Sequence, residues 1–383
     1  MSKLRILALN WRCLRHPQAG GSETNLFEQA SRWARDGHEV TLLCAGAGPH
    51  AGVREQVDGI DVRRMGGRFS LYVFVALFLL RYASEFDVVL DVANGIPFFA
   101  PLWTRRRGVL LMHHVHDRQW FTEMGWLLGW VGWALERWVV PLVYRHWQVI
   151  AVSPSTREAL IGLGFRANQI QIVYNGLSAP LLPALDAYEP CPRIVYVGRV
   201  RRYKRVELLI QAVAELRWRI PNIRLDIAGD GDARPELEQL VADLGLEEHV
   251  TIHGYVSAQQ KADLLAAATV FATASTNEGW GIAVIEANAY GCPAVAFDVP
   301  GLRSAIRQGV TGLLASDGIA FEHALETLLR DRTLRDHLGT AALSWARQFD
   351  WEHSATLTLA MLQGAARGPL TLAEIAPQPR GRN

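Results

Sequence analysis

Short apolar runs of strand length recur along this chain, and most of them run into a turn and then a segment with helical spacing. Residues 4–9 are such a run. The turn Pro17-Gln18-Ala19-Gly20-Gly21-Ser22-Glu23 follows, and residues 24–35 place Leu26, Phe27, Ala30 and Trp33 on one side. Gly37-His38 closes that helix, and residues 39–44 form the next strand. Strand, glycine loop, helix, strand is a βαβ unit, and its strands lack polar alternation because helices cover both faces of the sheet. Further strands are predicted at 87–91, 109–112, 149–153 and 170–173, then at 193–197, 223–228, 250–253, 270–274 and 294–297. Helices are predicted at 206–217, 260–268, 321–338, 341–349 and 351–362, with Pro154 opening another after 149–153. This pattern predicts an α/β chain with doubly wound parallel sheets.

A chain of 383 residues is long enough for two such domains. Four prolines between 180 and 192, with no periodicity around them, mark 179–192 as the linker. The expected organisation is a first Rossmann-like domain at 1–178, a second at 193–350, a terminal helix at 351–367 and a disordered tail at 368–383. The formal charge of +1 carries no nucleic-acid footprint. Cys13, Cys44, Cys191 and Cys292 include no Cys-x-x-Cys pair, which fits a reducing compartment. No run is long enough to span a bilayer, and the opening run is too short for a signal peptide, so a cytoplasmic location is expected.

The chemistry concentrates after strand 270–274, in Asn277-Glu278-Gly279-Trp280-Gly281 and an apolar helical segment that ends at Gly291-Cys292-Pro293. A helix opening after glycines leaves backbone N–H groups unpaired beside partial positive charge, which suits a phosphate. Glu278 precedes that helix, and Glu286 lies eight residues on, about two turns along on a neighbouring face. A second loop, Gly198-Arg199 followed by Val200-Arg201-Arg202-Tyr203-Lys204, leaves strand 193–197. Fixed cations at a strand end stabilise a departing anion, although an exposed basic loop is the plainer reading of Arg201, Arg202 and Arg205. His113-His114-Val115-His116-Asp117 follows strand 109–112. Three histidines there are open to two readings, a metal site or polar residues at the ligand end of a sheet. Asp230-x-Asp232 sits on a strand-to-helix turn, where aspartate is a common capping residue. The dinucleotide fingerprint is not met at Ala45-Gly46-Ala47-Gly48.

Glu278-x7-Glu286 and Gly198-Arg199-x4-Lys204 resemble the signatures of retaining GT-B glycosyltransferases, in particular glycosyltransferase family 4, and the resemblance runs from about residue 4 to 362. It implies two Rossmann-like domains facing across a cleft. It implies that Arg199, Lys204, the Gly20-Gly21 loop, Gly279, Trp280 and Gly281 meet the donor diphosphate, and that Glu286 holds the ribose hydroxyls. His253 and Tyr255 would border the base, and Glu278 would hold the transferred sugar. His114, with His116 next, would be the active-site histidine between sugar and acceptor. No metal or other cofactor is implied. Many family members carry a glutamate where this chain has Ser304 or Ala305. The implied function is transfer of a hexose of mannose or glucose type from a UDP- or GDP-sugar to a glycan or lipid-linked acceptor, in cell-envelope polysaccharide or glycolipid synthesis. The alternatives are another GT-B enzyme, such as a sugar-nucleotide epimerase or a phosphorylase, or a non-catalytic membrane-associated scaffold.

The 13 tryptophans cluster in the first half. Trp126, Trp130, Trp133 and Arg137 fall at i, i+4, i+7 and i+11, one stripe of a helix. The stripe suits a membrane interface, with the apolar run 71–80 as a second patch, or it packs on the sheet.

Overall fold

The computed structural model describes residues 3–16, 19–46, 52–67, 69–178 and 191–367. Pro17-Gln18, Ala47-Gly48, most of the linker and the 368–383 tail lie outside them. The chain divides into two compact units, 1–176 with 350–383, and 177–349.

The first unit carries β1 (Arg5–Leu9), α1 (Gly21–Arg35), β2 (Glu39–Cys44), β3 (Arg54–Val57), β4 (Ile60–Arg64), α2 (Ser70–Tyr82), β5 (Val88–Ala93) and β6 (Gly108–Met112). It continues with α3 (Gln119–Ala134), α4 (Val140–Val143), β7 (Gln148–Ala151), α5 (Pro154–Gly162) and β8 (Ile170–Ile172). Its eight strands lie in the order β3-β4-β2-β1-β5-β6-β7-β8, parallel except for the β3–β4 hairpin. Every residue of β5 and β6 is buried, as expected of central parallel strands under helices.

The second unit carries β9 (Arg193–Val197), α6 (Glu207–Leu216), β10 (Arg224–Ala228), α7 (Arg234–Asp243), β11 (Val250–Gly254), α8 (Ala258–Ala266) and β12 (Val270–Thr273). After these come α9 (Ile282–Asn288), β13 (Ala294–Phe297), α10 (Pro300–Ala305), β14 (Gly312–Ala315), α11 (Gly318–Arg330) and α12 (Arg332–Ala346). All six strands are parallel, in the order β11-β10-β9-β12-β13-β14. The chain then returns to the first unit as α13 (Trp351–Arg367), which packs on α1, β5 and β6. Trp33 donates its indole N–H to Ala355 O at 2.9 Å, and a Cβ at Gly176 would meet the Trp351 backbone nitrogen at 2.4 Å.

In each sheet the winding reverses at one pair of neighbours, β1/β5 in the first and β9/β12 in the second. Loops leaving such a pair at its carboxyl ends diverge and leave a crevice, the usual ligand position in open α/β sheets.

Several elements differ from expectation, among them the helix predicted over 341–349, which is the end of α12. Helix α1 begins at Gly21, not Thr24, because extended Gly20 caps it and Glu23 returns its carboxylate to the Gly20 N–H at 2.7 Å. The helix predicted over 321–338 breaks at Asp331, whose backbone leaves helical geometry and whose side chain accepts from the Leu334 N–H. The tryptophan stripe is interrupted at both ends. Gly125 leaves helical geometry at a positive φ of 71°, and a π-turn over Leu135–Val139 carries Arg137 out of register, where it donates to Gly162 O at 2.6 Å. Trp126 and Trp130 are exposed, so they do not pack on the sheet, while Trp133 donates to Asp117. No described helix is long and apolar enough to cross a membrane.

Candidate active site

The β9/β12 switch point is closed by two loops. The Thr276 N–H and hydroxyl both donate to Tyr203 O, at 2.9 and 3.1 Å, joining the loop after β12 to the loop after β9. Next to this seam Lys204 Nζ is hydrogen-bonded to Glu278 Oε1, with both side chains largely buried. Burial by itself lowers the Lys204 pKa. The Glu278 charge, Tyr203 and the hydrogen bond outweigh it, so the net direction is up and the ammonium is held charged. Arg199 is exposed on the same loop and pairs with no described carboxylate. Its charge reaches Lys204 and works against the ammonium form. The carboxyl end of this sheet thus holds one neutralised cation and one open cation, a good receiver for a polyanion.

Close backbone approach sets this geometry. A Cβ at Gly301, in α10, would lie 1.9 Å from Glu278 O, so only glycine lets that helix press on the Glu278 loop. Gly281 caps α9 in the left-handed region at φ 78°. Glycines at 229 and 231 serve packing in the same way, since Cβ atoms there would lie 1.8 Å from Gly198 O and 2.1 Å from Val200 O. The Asp-x-Asp carboxylates between them are engaged by arginines, Asp232 with Arg201 at 3.0 Å and Asp230 near Arg234 at 3.9 Å. Among the described residues no group of three or more His, Cys, Asp or Glu could hold a metal.

Glu286 is in the second turn of α9, and its carboxylate accepts from Lys261 of α8 at 2.7 Å. Helix α9 has seven residues and begins four positions after Glu278, so the two glutamates are not related by helical spacing. The Trp280 indole is turned into the core of its unit. Its side chain is 2% exposed and packs edge-on against Phe349 at 4.8 Å between centroids, leaving only its backbone for an anion. His253, on edge strand β11, is bonded to Asp226 at 2.6 Å, and Tyr255 is 88% exposed. No described hydrogen bond joins either to Lys204, Glu278 or Glu286.

In the first unit, Gly20 and Gly21 open α1 beside β1, and Asn94 after β5 donates to Ser22 at 3.0 Å. The Gly20 N–H is already taken by Glu23. The three histidines after β6 differ sharply. His113 is buried, and desolvation holds its pKa down at about 4, so it stays neutral. His116 is buried, stacked on Trp120 at 4.6 Å, and its backbone N–H donates to Glu136 at 2.9 Å. His114 is half-buried, its ring 4.0 Å from that of His116.

Glu136 is the organiser of this corner. It also accepts from the Asp117 N–H at 2.9 Å and the Trp120 indole at 3.0 Å. Burial raises its pKa, but the hydrogen bonding and charge of His116 and the two backbone donors outweigh that and bring it below the ordinary glutamate value. Sequence reasoning passed over Glu136, Lys261 and Gly301. The π-turn that carries Glu136 and the close approach at Gly301 have no local sequence signal.

The family description "Glycosyl transferases group 1" matches residues 183–345, and "Glycosyltransferase Family 4" matches 19–179. A D-inositol 3-phosphate glycosyltransferase of Xylanimonas cellulosilytica is 31% identical over 61% of this chain and 69% of its own length. The enzyme of the same name from Nocardia farcinica is 27% identical over 92% of this chain and 87% of its own. Two solved structures share the fold. Anabaena HepE in complex with UDP and glucose has TM-score 0.75, 22% identity, and covers 94% of this chain and 99% of its own. Sucrose-phosphate synthase from Thermosynechococcus elongatus has TM-score 0.79, 21% identity, and covers 94% and 98%. The chain belongs to the group 1 glycosyltransferases, family 4, and is a GT-B enzyme that transfers a sugar from a nucleotide sugar.

Proposed function

We propose that the protein is a retaining hexosyltransferase that uses a UDP-hexose and needs no metal. The observation that carries this reading is the Lys204–Glu278 pair beside exposed Arg199 at the β9/β12 switch point. On donor binding the pair re-partitions. Lys204 and Arg199 turn to the diphosphate, with the backbone N–H groups of Gly279, Trp280 and Gly281, and neutralise the charge that grows as it leaves. Glu278, released from the ammonium, accepts from hydroxyls of the transferred sugar. Glu286 accepts from the ribose hydroxyls in place of Lys261, and Tyr255 and His253 border the base. The Gly20-Gly21 loop meets the far side of the donor, and His114 faces the transferred sugar and acceptor, His113 being neutral and enclosed and His116 held by Glu136. UDP is favoured over GDP because HepE structures carry UDP and UDP-glucose.

The acceptor in this reading is lipid-linked or an envelope glycan, worked on at the inner membrane face. Its support is the apolar surface of the first unit, where Trp126, Leu127 and Trp130 on α3 and Val73, Leu77 and Leu80 on α2 are exposed. A second acceptor class, a cyclitol phosphate, is favoured by the names of the relatives.

The test is a melting-temperature screen with UDP, GDP and their sugars, with and without EDTA, on wild type and Lys204→Ala, followed by product analysis with each acceptor class. A shift by UDP that EDTA leaves unchanged and Lys204→Ala removes, with an α-linked product from an α-linked donor, is expected. No shift by any nucleotide, or one that needs a divalent ion, overturns the donor-site assignment.

A further inference from the structure

A cavity of about 910 Å³ lies in the first unit at the amino ends of β6 and β7, where Gly108 and Gln148 open the two strands. It is therefore at the opposite end of the sheet from the Gly20-Gly21 loop and the histidines. Arg105, Arg106, Arg107, Arg145, His146 and Arg166 line it. Their described hydrogen bonds go to neutral groups. Arg106 donates to Ser84 O at 3.0 Å, Arg166 to Arg145 O at 2.8 Å, and Arg145 to the His146 ring at 3.0 Å. Among the described residues, none of these five arginines forms an ion pair with a carboxylate. Asp87, which feels the charge of Arg106, is itself bonded to Arg5.

Five guanidinium groups around one cavity without a counter-charge repel one another, and a bound anion relieves that. Two further features narrow the ligand. Gln148 Oε1 is buried at the cavity wall with no hydrogen-bond partner, an acceptor waiting for a hydroxyl or amine donor. Exposed Leu102 and Leu142 stand at the rim, and the wall from α13 is apolar, with Met361 and Ala365. Cations, one lone acceptor and an apolar rim suit a phosphate ester that carries a free hydroxyl.

We propose that this cavity is a second binding site, taking a phosphate ester with an adjacent hydroxyl, of the glycerol phosphate kind, presented by a lipid headgroup or free in solution. It is independent of the donor-site assignment, since it shares no residue with it.

The experiment uses the full chain. Binding of glycerol 3-phosphate and of sulfate is measured by calorimetry, and flotation is measured with phosphatidylcholine vesicles with and without phosphatidylglycerol. Wild type is compared with Arg145→Glu/Arg166→Glu, Arg105→Gln and Gln148→Leu, with circular dichroism and the melting temperature of the free protein as the check that each variant is folded. Wild type is expected to bind glycerol 3-phosphate, the phosphatidylglycerol vesicles, or both. The double charge reversal should weaken that by roughly tenfold or more, because charge-assisted hydrogen bonds are lost. Gln148→Leu should weaken glycerol 3-phosphate but not sulfate. Binding to vesicles alone identifies the lipid source, and binding in solution with no vesicle preference identifies a soluble one. No binding of either probe by wild type, or unchanged binding in both the double variant and Arg105→Gln, overturns the proposal. So does sulfate binding as tight as glycerol 3-phosphate that Gln148→Leu leaves unaltered.

Discussion

The two sheets reverse their winding in the same way and furnish the reversal differently. At β9/β12 the loops are locked by a charged pair, Lys204 with Glu278, beside an open guanidinium, Arg199. At β1/β5 the corresponding link is neutral, Asn94 to Ser22, with Glu23 folded back on its own helix start. The topology supplies two crevices, and side-chain chemistry decides what each receives. A charged pair that can be separated suits a ligand bearing both anionic and hydroxyl groups. The outer surfaces differ as well. Most arginines of the second unit sit opposite carboxylates, as with Arg219 against Glu322 and Glu326, while the first unit leaves arginines and aromatic rings exposed.

The largest break in this comparison comes from Lys204→Ala. Loss of the cation should lower kcat by roughly 10²–10³-fold, as removal of a preorganised charge-stabilising group does, measured with UDP-glucose as donor. Substituting Asn94→Ala in the neutral crevice should leave nucleotide binding as it is.

Gly301→Ala tests whether the charged crevice depends on backbone contact. The added methyl meets Glu278 O and should push the Glu278 loop away. We expect nucleotide affinity to fall about tenfold and stability by about 1–3 kcal/mol, the usual scale of overpacking, read by calorimetry and chemical denaturation. Unchanged values for both would show that α10 does not position Glu278.

Glu136→Gln sharpens the reading of the first unit. The folded-state pKa of Glu136 lies below its unfolded value, so its stabilisation is present above the ordinary glutamate range and is lost as pH falls through the folded value. At pH 7 the variant should unfold about 1–3 kcal/mol more easily, the cost of weakening a buried charge-assisted network. The gap should close as pH falls below the ordinary glutamate range and through the lower folded-state value. A gap independent of pH would mean that the carboxylate charge is not what holds His116 and Trp120.

The smallest effect belongs to Tyr255→Ala. This side chain touches little, so the melting temperature should not move. If Tyr255 stacks on the base, KM for the donor should rise by about fivefold, the lower end of the roughly 1–3 kcal/mol that base–aromatic stacking is worth per base.

Much of the fold was legible because buried parallel strands write continuous apolar runs. The strand at 294–297 and the one at 39–44 stand where they were expected. The β3–β4 hairpin was not foreseen, because Arg54, Glu55, Arg63 and Arg64 hide its two strands among charges, and edge strands carry such residues. Sequence order put Arg199 and Lys204 after one strand and Glu278 after another, and the structure brings both loops to one switch point. The ammonium partners of the two glutamates were not legible, since Lys204 meets Glu278 across 74 residues and Lys261 meets Glu286 across 25. The packing of Trp280 was not legible either, since its neighbours in sequence are loop glycines while its indole lies against Phe349.

The return of α13 to the first unit has a consequence for how the protein is made. Trp351, Thr358, Met361 and Leu362 are buried parts of that unit, yet the whole second unit precedes them in the chain. The second unit, encoded without interruption, can close its core while the first still shows an open groove along α1, β5 and β6. Synthesis therefore completes the second unit before the first, and the first becomes a finished surface only when α13 arrives. A chain cut short before residue 350 would keep one folded half and leave the other searching for its missing side.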